Sequence, residues 1–192
     1  MKRDKGERII VFCLLWNAFL LVLKGAVGIL GRSQALQADA INSAGDVLTT
    51  TIILLGVRFS QKPRDEDHHY GHGKLEALAS LSVGVFILIG VVFLWREIVL
   101  TVIHRDFQTP SIWALIVAAA AIGIKYYLYR KTLAVGKELN SIAVIANAKD
   151  HRNDVFATSG TLIAIAFGLA GARYGIGAFY YVEPAAAGVM SV

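Results

Sequence analysis

Long apolar runs separated by short polar segments constrain this chain more than any other feature of its sequence. Six runs can be drawn, at about residues 9–30, 35–59, 77–100, 111–129, 141–171 and 176–192. Most approach the roughly 20 residues that an α-helix needs to cross a bilayer. Because hydrocarbon offers no partner to exposed backbone groups, only helices and closed barrels span a membrane. We therefore predict an all-α membrane protein, a bundle of six transmembrane helices that forms one domain over residues 1–192.

The composition agrees with a membrane setting. Of the 192 residues, 56% are hydrophobic and only 17% are charged, and the mean hydropathy is +0.57. These values lie outside the usage of soluble domains. The formal charge is +5, but the basic residues fall between the apolar runs and form no stripe that would bind nucleic acid. Cys13 lies within the first run and is the only cysteine, so we predict no disulfide within the chain.

The basic residues are divided unequally between the two sides of the predicted bundle. One side carries Lys2, Arg3, Lys5, Arg8, Arg58, Lys62, Arg64, Lys74, Arg130, Lys131 and Lys137, and the other carries Arg32, Arg96, Arg105 and Arg173. Because cytoplasmic loops are enriched in lysine and arginine, we predict a cytoplasmic N-terminus in the cell membrane. The last run stops without a basic anchor, so we expect a longer protein that continues beyond it, into a soluble domain.

Polar residues interrupt the second apolar run at helical spacing. They are Asp39, Asn42, Asp46 and Thr49. Four residues advance a helix by roughly 400°, so Asn42 and Asp46 share a face. Carboxylates at membrane depth are costly and usually functional. The alternative is a packing stripe, because small polar residues such as Ser43 let membrane helices approach closely; this alternative explains Asn42 better than it explains two aspartates.

The fifth run repeats this spacing with Asp150 and Asp154, and Asn147 lies beside them. A solvated loop is the alternative, but the span after it would keep only about 16 apolar residues, which is short for a bilayer. We therefore extend the helix back through the charged residues. His151 lies roughly 100° round such a helix from Asp150, and we expect it to form a hydrogen bond rather than to bind metal.

The two polar faces together offer only oxygen ligands. Asn42 and Asp46 would meet Asp150 and Asp154, and hard oxygen ligands suit Mn²⁺, Mg²⁺ or Ca²⁺ better than Zn²⁺, which favours nitrogen and sulfur. The residue types therefore predict a divalent-cation site within the membrane.

The polar segment between the second and third runs holds another candidate site. Asp65, His68 and His72 are three and four residues apart, so helical turns would bring them together on a metal ion. A solvated charged loop explains the same residues equally well. At the level of residue types both interpretations stay open.

Three motifs resemble the cation diffusion facilitator family, whose members export divalent metals in exchange for protons. They occupy residues 38–46 (ADAINSAGD), 62–76 (KPRDEDHHYGHGKLE) and 149–155 (KDHRNDV). The motifs occur in the family's order, and the resemblance covers nearly the whole chain. It implies six transmembrane helices, a homodimer, and a cytoplasmic ferredoxin-like domain that is absent from these residues.

The resemblance also implies roles for individual residues. It implies a transport site of Asn42, Asp46, Asp150 and Asp154 and a second site of Asp65, His68 and His72 in the loop. From their place on the two polar faces, we predict Asp39 and Asn147 as auxiliary ligands. Zinc-transporting members carry histidine in at least one of the transport-site pairs. This chain does not, and so it is similar to the manganese-type members.

The function that follows is efflux of Mn²⁺ from the cytoplasm by alternating access, with Zn²⁺, Fe²⁺ or Co²⁺ as alternative substrates. When the metal leaves, the aspartates crowd one another, so proton uptake should accompany release. Two alternatives use the same residues: a cation channel with a ring of carboxylates, and a membrane scaffold that senses metal without transport. The chain shows no nucleophile–base arrangement, so we predict a transporter and not an enzyme.

Overall fold

The computed structural model describes residues 2–59 and 73–191, and the regular structure of these residues is helical throughout. The helices are α1 (Lys2–Leu30), α2 (Gln34–Phe59), α3 (Gly73–His104), α4 (Ile112–Leu139), α5 (Ile142–Tyr174) and α6 (Val182–Met190), with a 3₁₀ turn at Gly177–Tyr181 before α6. Four segments of these helices are long and apolar enough to cross a bilayer: Lys5–Leu30, Gly84–His104, Ile112–Leu139 and Ile142–Tyr174. The prediction of an all-α membrane bundle is confirmed.

Most helices extend beyond the sequence-based boundaries, and two elements show how. Helix α4 continues to Leu139 instead of ending near residue 129. It does so because Thr132 and Gly136 keep its inner face buried, while basic residues such as Lys131 lie on the exposed face of the same helix. The last apolar run does not start as one helix, because a 3₁₀ turn precedes α6.

Two tightly packed helix pairs build the bundle. In the pair α1 and α2, a Cβ on Gly28 would lie 3.0 Å from the backbone nitrogen of Gln37, so only glycine permits this approach. Helices α4 and α5 are joined by two residues: Asn140 ends α4 in the left-handed conformation (φ 50°), and the Ser141 side chain caps α5. This short connection fixes α4 and α5 as antiparallel neighbours.

One end of the bundle is tied together by a surface ion pair. Lys5 Nζ lies 2.6 Å from a carboxylate oxygen of Glu138, so the start of α1 and the end of α4 lie at the same end. The predicted basic side therefore corresponds, in the described residues, to one physical end of the bundle. We call it the basic end.

A polar layer lies between two apolar clusters. The cluster near the basic end is Ile9, Ile10, Cys13, Leu54, Leu128 and Val144. The cluster towards the opposite end is Ala35, Leu36, Ala114, Val117, Ala118, Ala164 and Ile165. Between them on the same helices lie the buried polar residues Asn17, Lys24, Asp39, Ser43, Thr50, Lys125, Asn147, His151, Asp154 and Thr158. Most of the buried polar groups among the described residues thus lie in the middle of the bundle, whereas Glu183 of α6, buried beside Ser33, lies outside this layer.

Helix α3 is peripheral. Only 11% of its membrane-crossing window is buried, against 33% in the three other spans. A wide cavity of about 930 Å³ opens along α3 towards the opposite end, with Arg32, Arg96 and Glu183 among its lining residues. None of the transport-site residues predicted from the sequence lines this cavity.

Candidate metal site

A smaller cavity of about 280 Å³ lies within the polar layer. Its lining residues come from α1, α2 and α5: Asn17, Asp46, Thr50, Asn147, Asp150, His151, Asn153 and Asp154. At 1.5 Å per residue, Asp46 stands about 20 Å from the Phe59 end of α2 and about 18 Å from the Gln34 end. The cavity therefore lies near the middle of α2, and its volume far exceeds the roughly 10–15 Å³ that one water requires.

The inner face of α2 differs from the predicted polar stripe. Its buried polar residues are Asp39, Ser43 and Thr50, with the half-buried Asp46 between them. At 100° per residue these four fall within about 60° of one another, whereas Asn42 lies outside this range, about 40° beyond Asp46. The stripe that enters the bundle therefore contains Ser43 in place of Asn42.

Two predicted residues lie outside the cavity, for different reasons. Asn42 is exposed and is not among the lining residues. Asp39 is buried in an ion pair: its Oδ2 lies 2.8 Å from Lys24 Nζ, and its Oδ1 accepts a hydrogen bond from Thr158. Asp39 is thus engaged by Lys24 and Thr158 and does not line the cavity.

Helix α5 contributes most of the cavity wall. Asp154 is buried and Asp150 is exposed at the rim, while Asn147 lies one turn before Asp150 and is 2% exposed. The Asn147 amide donates a weak 3.5 Å hydrogen bond to Thr50 on α2. The structure thus brings Asp46, Asp150 and Asp154 to a single cavity.

His151 is placed differently from its prediction. Its ring is 1% exposed and lines the cavity, with Nδ1 3.8 Å from Asp154 Oδ2, too long for a hydrogen bond. Within the described residues neither ring nitrogen has a hydrogen-bond partner. Among the described residues that line the cavity, His151 is therefore the one side chain that offers a nitrogen ligand to a metal ion.

Lys125 of α4 holds two of the aspartates. Its side chain is fully buried, and Nζ lies 2.7 Å from Oδ2 of Asp46 and 2.7 Å from Oδ2 of Asp154. The short α4–α5 connection brings Lys125 opposite Asp154, because both lie a similar number of residues from Asn140 and Ser141. Lys125 escaped prediction, although a lysine within an apolar run is a signal of the same kind as Asp46.

Asn17 of α1 also escaped prediction as a site residue. It is 1% exposed and lines the cavity, and neither its amide oxygen nor its amide nitrogen has a hydrogen-bond partner among the described residues. A buried amide without partners is costly. Asn17 therefore offers the cavity an oxygen that no protein group uses.

The donor set is almost wholly oxygen, but it is not a preformed metal cage. In residues 2–59 and 73–191, no three carboxylate, histidine or cysteine side chains converge as metal ligands. Lys125 explains this, because its ammonium lies between the carboxylates of α2 and α5. The second predicted site, Asp65, His68 and His72, lies outside the residues that the structure describes.

The fold and the cavity together define the class of the chain: a helical membrane protein with an acidic cavity inside its bundle. The profile of one family, the cation efflux transmembrane domain, matches residues 10–192. The chain belongs to this family, the cation diffusion facilitators, and the resemblance noted in the three motifs is confirmed.

Curated relatives support the assignment. The chain is 32% identical to the manganese efflux system protein MneP of Bacillus subtilis over 186 residues, which are 97% of this chain and 62% of MneP. It is 34% identical to MneS of the same organism, over 84% of this chain and 56% of MneS. It is 32% identical to the magnetosome protein MamB of Paramagnetospirillum magneticum, over 85% and 55%. The chain thus spans little more than half the length of these relatives.

Proposed function

We propose that the protein to which this chain belongs exports divalent cations from the cytoplasm, with Mn²⁺ as its main substrate, in exchange for protons. The observation that carries the proposal is the cavity in the polar layer, which Asp46, Asp150 and Asp154 line together. A membrane cavity that gathers three carboxylates has a strong electrostatic reason to take up a cation.

The choice of Mn²⁺ is supported by the donor atoms. The cavity offers carboxylate and amide oxygens, one histidine ring and no thiolate. Such a set suits a hard dication, and two relatives carry manganese efflux in their names. Zn²⁺, Fe²⁺ and Co²⁺ remain alternative substrates, because His151 could add nitrogen to the ligand set.

We propose Asp46, Asp150 and Asp154 as the ligands, with the amides of Asn147 and Asn17 as further oxygen donors. Asn42 would join this set only in a state in which α2 has turned about its axis. Carboxylates that lose a bound dication repel one another, and protons relieve that repulsion. Proton uptake at the side of release would then couple the two fluxes.

Orientation and assembly are part of the proposal. The basic end of the bundle, which includes Lys5 and Lys131, would face the cytoplasm. The cell membrane is the proposed location, and a second copy of the chain is the proposed partner, as the family resemblance implies.

The test is metal flux into proteoliposomes that contain the full-length protein, with and without a pH gradient. We expect Mn²⁺ flux that depends on the gradient, and flux near background for Asp154→Asn, which removes a buried ligand charge at constant size. Asp106→Asn, which removes an exposed aspartate outside this cavity, should transport like the wild type.

Each component of the proposal can fail separately. Flux that ignores the pH gradient would indicate a channel, and equal flux in Asp154→Asn would reject the assigned site. If saturable flux of Zn²⁺ is faster than that of Mn²⁺ at equal concentration, Zn²⁺ replaces Mn²⁺ as the proposed main substrate.

A further inference from the structure

We propose that Lys125 is a built-in competitor of the transported cation, a fixed ammonium group that determines how tightly the three aspartates hold a dication. The proposal rests on the proposed function, because it assigns Lys125 a role in the same cavity. Lys125 belongs neither to the α2 pair nor to the α5 pair of the family motif. It reaches the aspartates from a third helix, α4.

The geometry places the lysine charge between the two ligand-bearing helices. Nζ contacts Oδ2 of Asp46 on α2 and Oδ2 of Asp154 on α5, each at 2.7 Å. Charge-assisted contacts of this length are strong. A dication that approaches the same oxygens must displace the ammonium or bind beside it, and in both cases it meets a positive charge a few ångströms away.

The count of charges follows from these contacts. Asp46, Asp150 and Asp154 as carboxylates, together with the Lys125 ammonium, leave two negative charges at the cavity. One divalent cation neutralises two negative charges. Without the lysine the cavity would retain a negative charge after a dication has bound, and it would hold that dication more firmly.

A transporter needs a site that binds its substrate without trapping it. Repulsion between two cations a few ångströms apart is large when neither is surrounded by bulk water. Lys125 is fully buried, so water screens this repulsion less than it would at the protein surface. Its ammonium should therefore weaken equilibrium binding and speed release of the metal from the cavity.

The experiment compares Mn²⁺ binding and Mn²⁺ transport in the full-length protein in lipid. Lys125→Met removes the charge and keeps an unbranched side chain, whereas Lys125→Arg keeps the charge. Lys131→Met is the matched control, because it removes an exposed lysine from the same helix. Binding is measured from the loss of the free Mn²⁺ electron paramagnetic resonance signal, and transport from initial flux in proteoliposomes.

We expect Lys125→Met to bind Mn²⁺ roughly tenfold more tightly or better, because a nearby positive charge is removed. Its flux should be lower, since release becomes slower. Lys125→Arg and Lys131→Met should bind Mn²⁺ with an affinity close to that of the wild type. If Lys125→Met does not fold, Lys125→Gln provides the same comparison with a hydrogen-bond donor retained.

The outcomes separate this inference from the proposed function. Wild-type transport together with equal or weaker Mn²⁺ binding in Lys125→Met would overturn the role of Lys125 and leave the transporter assignment standing. The same holds if Lys125→Arg binds as tightly as Lys125→Met, or if neither uncharged variant folds, because Lys125 would then act through its size or as a structural ion pair. A wild-type protein that neither binds nor transports divalent cations would overturn the proposed function itself.

Discussion

Two lysines are buried in the middle of the bundle, and their surroundings differ. Lys24 pairs with one aspartate, Asp39, at 2.8 Å, and it donates hydrogen bonds to Ser43 and Thr158. Lys125 is shared by two aspartates that line a cavity. The charge of Lys24 is matched by one carboxylate and does not border the cavity. Lys125 is outnumbered by the carboxylates around it, so excess negative charge lies next to the cavity. An enclosed ion pair whose charges are matched holds helices together. A cluster with excess negative charge beside a cavity can accept another cation.

The largest effect that the comparison predicts is on stability at Lys24. Lys24→Met leaves the carboxylate of Asp39 buried without a counter-charge, and we expect a loss of about 3–5 kcal/mol in the free energy of unfolding. Unfolding in mixed detergent micelles, followed by tryptophan fluorescence, measures this loss. Lys125→Met should be far less damaging, because Asp46 and Asp154 border the cavity.

The control for Lys24 is the double variant Lys24→Met/Asp39→Asn, which removes both charges of the pair. It should recover most of the lost stability, because replacement of both partners of a buried pair is often close to neutral. A double variant as unstable as Lys24→Met would show that the charges are not the cause, and the contrast between the two lysines would then lose its basis.

The second prediction concerns a double variant that restores the net charge of the cavity after Lys125 is replaced. Asp46→Asn alone removes one negative charge and should weaken Mn²⁺ binding roughly tenfold or more. Lys125→Met/Asp46→Asn removes one charge of each sign and returns the cavity to two negative charges. Its affinity should therefore fall between those of the single variants and near that of the wild type, as measured by equilibrium Mn²⁺ binding.

The test is the order of the Mn²⁺ affinities of the single and double variants. If Lys125→Met/Asp46→Asn binds no better than Asp46→Asn, the oxygen ligand at Asp46 matters and the net charge of the cavity does not. Lys125 would then resemble Lys24 in function as well as in burial.

The helical bundle could be predicted because bilayer thickness converts the length of an apolar run directly into a helix. The end of α4 could not, because Arg130 and Lys131 have the composition of a loop. Only the buried Thr132 and Gly136 show that the inner face continues to pack. Helix ends of this kind depend on a neighbour, here α5, which composition does not describe.

The site was predictable in part for a similar reason. Asp46, Asp150 and Asp154 are conspicuous within apolar runs, and helical spacing relates Asp150 to Asp154. Lys125 meets Asp46 and Asp154 only through the packing of α4 against its neighbours, so no spacing along the chain reveals the contact. On α2 the choice between Asn42 and Ser43 required an angular resolution finer than the i, i+4 rule provides.

The third prediction extends the comparison to a neutral residue of the polar layer, Asn17. Its amide has no hydrogen-bond partner among the described residues, so Asn17→Leu should leave stability unchanged or raise it. If the amide oxygen serves the cation, Mn²⁺ affinity should fall by about threefold to tenfold, which corresponds to the loss of one polar contact. Unchanged affinity with raised stability would remove Asn17 from the donor set.

The smallest predicted effect concerns the side-chain amides of Asn42 and Asn147. It tests whether the ligands are those predicted from the sequence or those that line the observed cavity. Asn147 lines the cavity, whereas Asn42 is exposed outside it. Asn147→Ala should weaken Mn²⁺ binding about threefold, because one oxygen donor is lost, and Asn42→Ala should have almost no effect. Both affinities are measured by Mn²⁺ titration in lipid nanodiscs. A larger effect at Asn42 would mean that α2 turns by roughly 60° when metal binds. Such a rotation would pull Asp46 away from Lys125, and the ion pair itself would then be the contact that alternating access breaks.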